Sequence, residues 1–255
     1  MISRRNSLQI FGLLISILLT GVGVYGILLQ FRTGTTVGDE LIRQILLLGE
    51  GAFAIIGSLF LMLFFRNTPS PGVLFFILAV QATAFGALRP LSAALFSLNY
   101  SYQIPAAITR AYYFGRFLSI LALFISGLFA AGLALQRRTI MFGSAFFMAL
   151  TLAAVLPVDI SEYTPQLLFS IGARSSMFLG YGVIAVLSTA NYLIAALHQG
   201  NRNYYLVACG VFFMIIGKEF VYRSIAPEAA AIGLLCMIVG AYLFGSRTHT
   251  IYLWL

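Results

Sequence analysis

Continuous apolar runs of about twenty residues recur along this chain, the length of a helix crossing a hydrocarbon core of about 30 Å. Inside lipid the backbone must satisfy its own hydrogen bonds, which leaves helices or a closed barrel. Barrel strands alternate apolar and polar residues over about ten positions, and these runs do not alternate. Composition agrees. The chain is 61% apolar and 9% charged, against about 25% charged in a soluble domain, so its main solvent is expected to be lipid.

Eight runs stand out, near residues 8–30, 44–65, 72–92, 113–135, 140–157, 175–197, 204–222 and 229–245. The expected fold is therefore an all-α integral membrane protein with about eight transmembrane helices. The first run is too long for a signal-peptide core and reads as a retained span. Short polar breaks such as Arg66-Asn67-Thr68-Pro69-Ser70-Pro71-Gly72 and His198-Gln199-Gly200-Asn201-Arg202-Asn203 carry turn chemistry and make successive spans antiparallel neighbours.

Charge suggests the orientation. With the N-terminus inside, the cytoplasmic segments carry Arg4, Arg5, Arg66, Arg137, Arg138, Arg202 and Arg247, and no acid. All seven acids (Asp39, Glu40, Glu50, Asp159, Glu162, Glu219 and Glu228) fall in outer loops or the outer part of spans. The expectation is a plasma (inner) membrane protein with both termini cytoplasmic. Tyr100, Tyr102, Tyr112 and Tyr113, on a long outer connection, and Tyr252 and Trp254 read as interface anchors. The net charge of +8 is explained by orienting arginines, and no nucleic-acid motif accompanies it.

At an offset of 131 the chain resembles itself. Phe11-Gly12 meets Phe142-Gly143, Leu19-Thr20 meets Leu150-Thr151, and Leu48-Gly49 meets Leu179-Gly180. Arg43 aligns with Arg174 and, with gaps, Arg89 with Arg223. This reads as a 4+4 duplication into residues 1–138 and 139–255, each half a four-helix unit. Halves with an even number of spans would be parallel, and parallel repeats in transporters carry their sites at the repeat interface.

The outer halves of the spans hold charged residues that are costly in lipid, about 2.5–3.5 kcal/mol each at span centres. Glu50, Arg89, Arg116, Lys218 and Glu219 lie within spans, with Arg43, Arg174 and Arg223 near the same level. Together they form the candidate ligand-binding set. Bases outnumber acids there, which points to an anionic or zwitterionic ligand. The competing reading is that long side chains snorkel to headgroups and that acids neutralise neighbours, Glu50 with Arg43 or Arg89 and Glu219 with Arg223 at helical spacing.

Other motifs are thin. Lys218, the one lysine, resembles the retinal-bearing lysine of microbial rhodopsins, yet no Asp lies four residues before it and an eighth span follows. His198 and His249 lack a third ligand. Cys209 and Cys236 sit at different depths and read as buried free thiols. No nucleophile motif, P-loop or metal motif is present, so no cofactor, metal or catalytic residue is expected. Expected partners are the lipid bilayer and other membrane subunits. Three functions fit: binding or transport of a small anionic or amphipathic ligand from the non-cytoplasmic side, a non-catalytic subunit or scaffold, or an intramembrane lipid-modifying enzyme using Glu50 and Glu219.

Overall fold

The computed structural model describes residues 2–34, 38–66, 70–133, 138–172 and 174–253. Its helices are α1 (Ile2–Thr33), α2 (Asp39–Phe64), α3 (Pro71–Gln81), α4 (Arg89–Ser97), α5 (Gln103–Ala130), α6 (Arg138–Val155), α7 (Arg174–Gln199), α8 (Asn203–Arg223) and α9 (Pro227–Leu253). A 3-10 segment, Ala82–Leu88, joins α3 to α4 in one interrupted span. Among the described residues seven helices are long and apolar enough to cross a membrane, taking α3 to α4 as one. The eighth apolar helix, α6, is shorter. At about 1.5 Å per residue it falls just short of a core of about 30 Å. The exterior is apolar: Leu63, Val155, Val186 and Leu197 are all more than two-thirds exposed. That suits a multi-pass membrane protein, in which lipid rather than water covers the surface.

The interrupted span and α5 are the most buried elements, and α1 and α7 the least. The elements converge at two ends. At one, α2 and α3 meet the ends of α5, α7 and α9: Ser70 Oγ lies 2.5 Å from Tyr252 Oη, and Gln199 donates to the Ala130 carbonyl at 2.9 Å. At the other lies an antiparallel hairpin of β1 (Val158–Tyr163) and β2 (Phe169–Ile171), in which Val158 pairs with Ile171 and Tyr163 with Phe169. None of the apolar runs in the sequence covers this stretch. Its strands are too short for a convincing alternation, and tertiary contacts hold them. Tyr163 stacks on Phe96 at 4.0 Å and donates to Ser92, while the Phe169 N–H donates to Thr109 Oγ1. Burial pushes the Tyr163 phenol up, so it stays a neutral donor. The Ser161 hydroxyl and N–H both donate to Asp159 and hold its carboxyl below the usual range.

Several expectations change. α5 starts at Gln103, ten residues ahead of the apolar run, because Pro105 falls in the first turn, where a missing N–H costs nothing. Tyr112 and Tyr113 are therefore buried in a helix and are not interface anchors, whereas Tyr100 and Tyr102 are exposed. Tyr252 is half-buried against Ser70, and Trp254 lies outside the described residues, as do the side chains of Arg4, Arg5, Arg137 and Arg138. The third span runs on past Arg89–Pro90 to Ser97, since a proline is tolerated in the first turn of α4. Cys209 is exposed on α8 rather than buried, and both cysteines are free. The arginines that the repeat aligns occupy unlike settings: Arg43 and Arg89 are buried, Arg174 and Arg223 exposed. Likewise α1 packs on α2, while α6 packs on α5.

Close approach of α8 and α9 rests on four glycines. A Cβ on Gly210 or Gly217 would stand 2.8 or 2.5 Å from the carbonyl oxygen of Gly240 or Gly233. The converse holds for Gly233 and Gly240, at 2.7 and 2.5 Å. Small residues at heptad spacing let the two backbones touch, which is how helices associate where lipid removes the hydrophobic drive. Gly217→Val is expected to destabilise the protein by about 1–3 kcal/mol. Gly143→Val, whose Cβ would meet open space on α6, is expected to cost far less. Reversible unfolding in mixed micelles measures both, and equal effects would contradict this packing.

Candidate functional site

The charged residues gather toward the hairpin end, and the chain breaks its helix to receive one of them. Pro90 has no N–H to give the Gly86 carbonyl, which accepts the Arg89 backbone N–H and keeps a second lone pair. Arg89 Nε donates to it at 3.3 Å. Nη1 donates at 3.2 Å to the Val221 carbonyl, which has no in-helix donor where α8 ends and also accepts from Ser224 Oγ. Nη2 donates to Glu50 Oε2 at 2.6 Å. Both side chains are almost wholly buried. Gly86 makes the room, since a Cβ there would overlap the Glu50 carboxylate. Of the two partners that the sequence offered Glu50, the structure selects Arg89. Arg43 instead pairs with Glu40 at 2.8 Å and donates to the carbonyls of Pro165 and Ile225, tying the hairpin and the α8–α9 turn to α2.

A second cluster stands between α5, α7 and α8. Arg116 pairs with Glu219, whose other oxygen lies 3.6 Å from Arg223 Nε. The Arg116 guanidinium also sits over the rings of Tyr222, at 3.9 Å, and Tyr181, at 4.6 Å. Such ring contacts stabilise a cation held away from water. Tyr113 and Tyr222 join hydroxyls at 2.8 Å. Lys218 is buried beside this cluster, within electrostatic reach of Glu50, Glu219 and Arg116, and among the described residues no hydrogen bond or ion pair holds it.

The second cluster opens into a cleft of about 480 Å³. Arg116, Arg174 and Arg223 line it, with the rings of Tyr113, Tyr181 and Tyr222 and the side chain of Gln166 from the hairpin. Arg174 is exposed and makes no hydrogen bond or ion pair among the described residues. Three guanidiniums against the one carboxylate of Glu219 leave the cleft cationic. Guanidinium forks bind carboxylate and phosphate oxygens in pairs, so the arrangement suits an anion.

The eight residues expected to surround one hollow therefore divide. Arg116, Arg174 and Arg223 face the cleft, Glu219 pairs with Arg116 and lines the adjoining groove, and Lys218 is buried nearby. Glu50 and Arg89 are sealed in the core, and Arg43 is a tie between loops. Partners explain the division: Arg89 and Arg43 go where a carboxylate and backbone carbonyls accept, Arg116 and Arg223 share Glu219, and Arg174 has no such partner among the described residues. Tyr113, Tyr181, Tyr222 and Gln166 were not anticipated as lining residues. Tyrosines spaced within spans were the available signal. Glu50 is paired with Arg89 and does not line the cleft, whereas Glu219 pairs with Arg116. Among the described residues no three His, Cys, Asp or Glu side chains converge.

No protein-family model matches the chain, and no curated protein or solved structure is similar to it.

Removing one member of a buried ion pair leaves a bare charge and typically costs about 3–5 kcal/mol. Glu50→Ala is expected to lose that much stability. Combining Glu50→Leu with Arg89→Met is expected to recover much of it, because two apolar groups leave no unpaired charge. Unfolding in mixed micelles measures the difference. A double variant as unstable as Glu50→Ala would show that the pair's hydrogen bonds to backbone matter more than charge balance.

Proposed function

We propose that this multi-pass membrane protein binds, or carries, a small anionic or amphipathic ligand reached from the non-cytoplasmic side. The observation that carries the reading is the cleft: three guanidiniums face one space, and one of them, Arg174, has no partner of its own among the described residues. A charge placed only for orientation needs no shared cavity. Snorkelling arginines would spread around the rim rather than line one cleft together with three tyrosines. The orientation is supported by the acids, since Asp39, Glu40, Asp159, Glu162 and Glu228 lie at the hairpin end and Arg66, Arg202 and Arg247 near the opposite one.

The runner-up, a non-catalytic membrane subunit, has one observation in its favour. A groove of about 440 Å³ between α2 and α9 is lined almost wholly by apolar groups, among them Ile56, Phe60, Leu234 and Ile238. A transmembrane helix of another chain fits such an apolar groove.

Arg174→Ala and Arg223→Ala are each expected to weaken binding of a carboxylate or phosphate probe roughly tenfold, as loss of a charge-assisted hydrogen bond does. Glu219→Gln is expected to act in the opposite direction, since it removes the one carboxylate beside the cleft. Titration calorimetry in uncharged micelles reads all three. Affinities that ignore every one of these substitutions would remove the basis of the proposal.

A further inference from the structure

The cationic cleft does not end at its own walls. Phe178 and Arg223 line both it and a second hollow, a groove of about 570 Å³ between α7, α8 and the start of α9. Beyond Glu219 and Ser224, which stand with Arg223 in its wall, the groove is apolar, with Ile216, Phe220, Ile225 and Ala229. Phe178, Phe220 and Ile225 are each about half exposed or more, so the groove lacks a wall on the side where lipid would stand. Arg223 is the last residue of α8 and marks the junction. Its guanidinium sits 4.4 Å over the Phe178 ring, at the level where a span gives way to headgroups. A site for a water-borne anion would have no use for an apolar trough leading into the bilayer.

Resting on the anion-binding reading above, we propose that the ligand is an anionic amphiphile that arrives sideways from the outer leaflet. Its phosphate or carboxylate occupies the cleft between Arg116, Arg174 and Arg223, and one acyl chain lies in the groove past Phe178. The chain gains little by leaving lipid for protein. What it contributes is location, because a lipid-borne headgroup is already concentrated at the depth of Arg223.

The test uses the full chain in uncharged maltoside micelles and three probes: a single-chain acylglycerol 3-phosphate, its zwitterionic choline ester, and glycerol 3-phosphate without a chain. Ala229→Trp fills the groove from the first turn of α9 and leaves the cleft untouched. The expected result is that the phosphate amphiphile binds tightest, that Ala229→Trp weakens it roughly tenfold, and that Arg174→Ala weakens it as well. Glycerol 3-phosphate is expected to bind weakly and to ignore Ala229→Trp. If it binds as tightly as the amphiphile and only the arginine variants matter, the lateral route is overturned and the water-borne anion site stands. If the choline ester matches the phosphate amphiphile, the headgroup assignment is overturned and the chains are merely partitioning. If no probe binds the wild-type chain, this inference and the anion-binding reading both fail.

Discussion

A guanidinium carried into a membrane must find its hydrogen-bond partners inside the protein, and the requirement organises the hairpin half of this fold. Arg89 meets it by spending three of its donors in three directions. One reaches the Gly86 carbonyl beside the Arg89 N–H, one reaches the Val221 carbonyl at the end of α8, and one pairs with Glu50 on α2. The interrupted span, α2 and α8 are thereby fixed to one another through a single side chain. Glycine at position 86 is what allows the carboxylate to come so close. The break between α3 and α4 is thus a socket built around a charge.

The same chemistry yields a different outcome a few ångströms away. Arg116 is buried as deeply as a core residue, yet its neighbours are two tyrosine faces and a carboxylate shared with Arg223. Among the described residues no backbone carbonyl accepts from it, and the space in front stays open as the cleft. Where Arg89 seals, Arg116 presents. The hairpin supports this opening by pinning the ends of α2, α4 and α5 through Pro165, Tyr163 and Phe169 and by lending Gln166 to the rim.

Much of the frame was legible in the sequence because helix length against lipid thickness is a strong constraint. The long apolar runs fell where helices form, and polar turns such as that at Gly200 fell between them. What stayed hidden depends on contacts between distant residues. The start of α5 could not be read from hydropathy, since Gln103 and Pro105 look like loop, and the error carried Tyr112 and Tyr113 to the surface. The hairpin is held by Phe96, Ser92 and Thr109 rather than by its own alternation. Charge pairing was only half legible. Spacing on one helix suggested Glu219 with Arg223, but no spacing rule could bring Arg116 to Glu219 across two helices. The resemblance between halves matched Arg89 with Arg223, which the fold sets in a sealed core and at an exposed rim.

The central claim is that Arg116, Arg174 and Arg223 form a cationic hollow that water and anions reach. Ser175 stands on its wall. With Cys209 and Cys236 replaced by serine, Ser175→Cys places the one thiol inside the hollow, and the rate of its reaction with thiosulfonate reagents measures the local potential. Relative to a free thiol in water, a negatively charged reagent should react faster than a positively charged one of the same size. Equal rates, a preference for the cation, or a thiol that neither reagent reaches in the folded protein would contradict the claim.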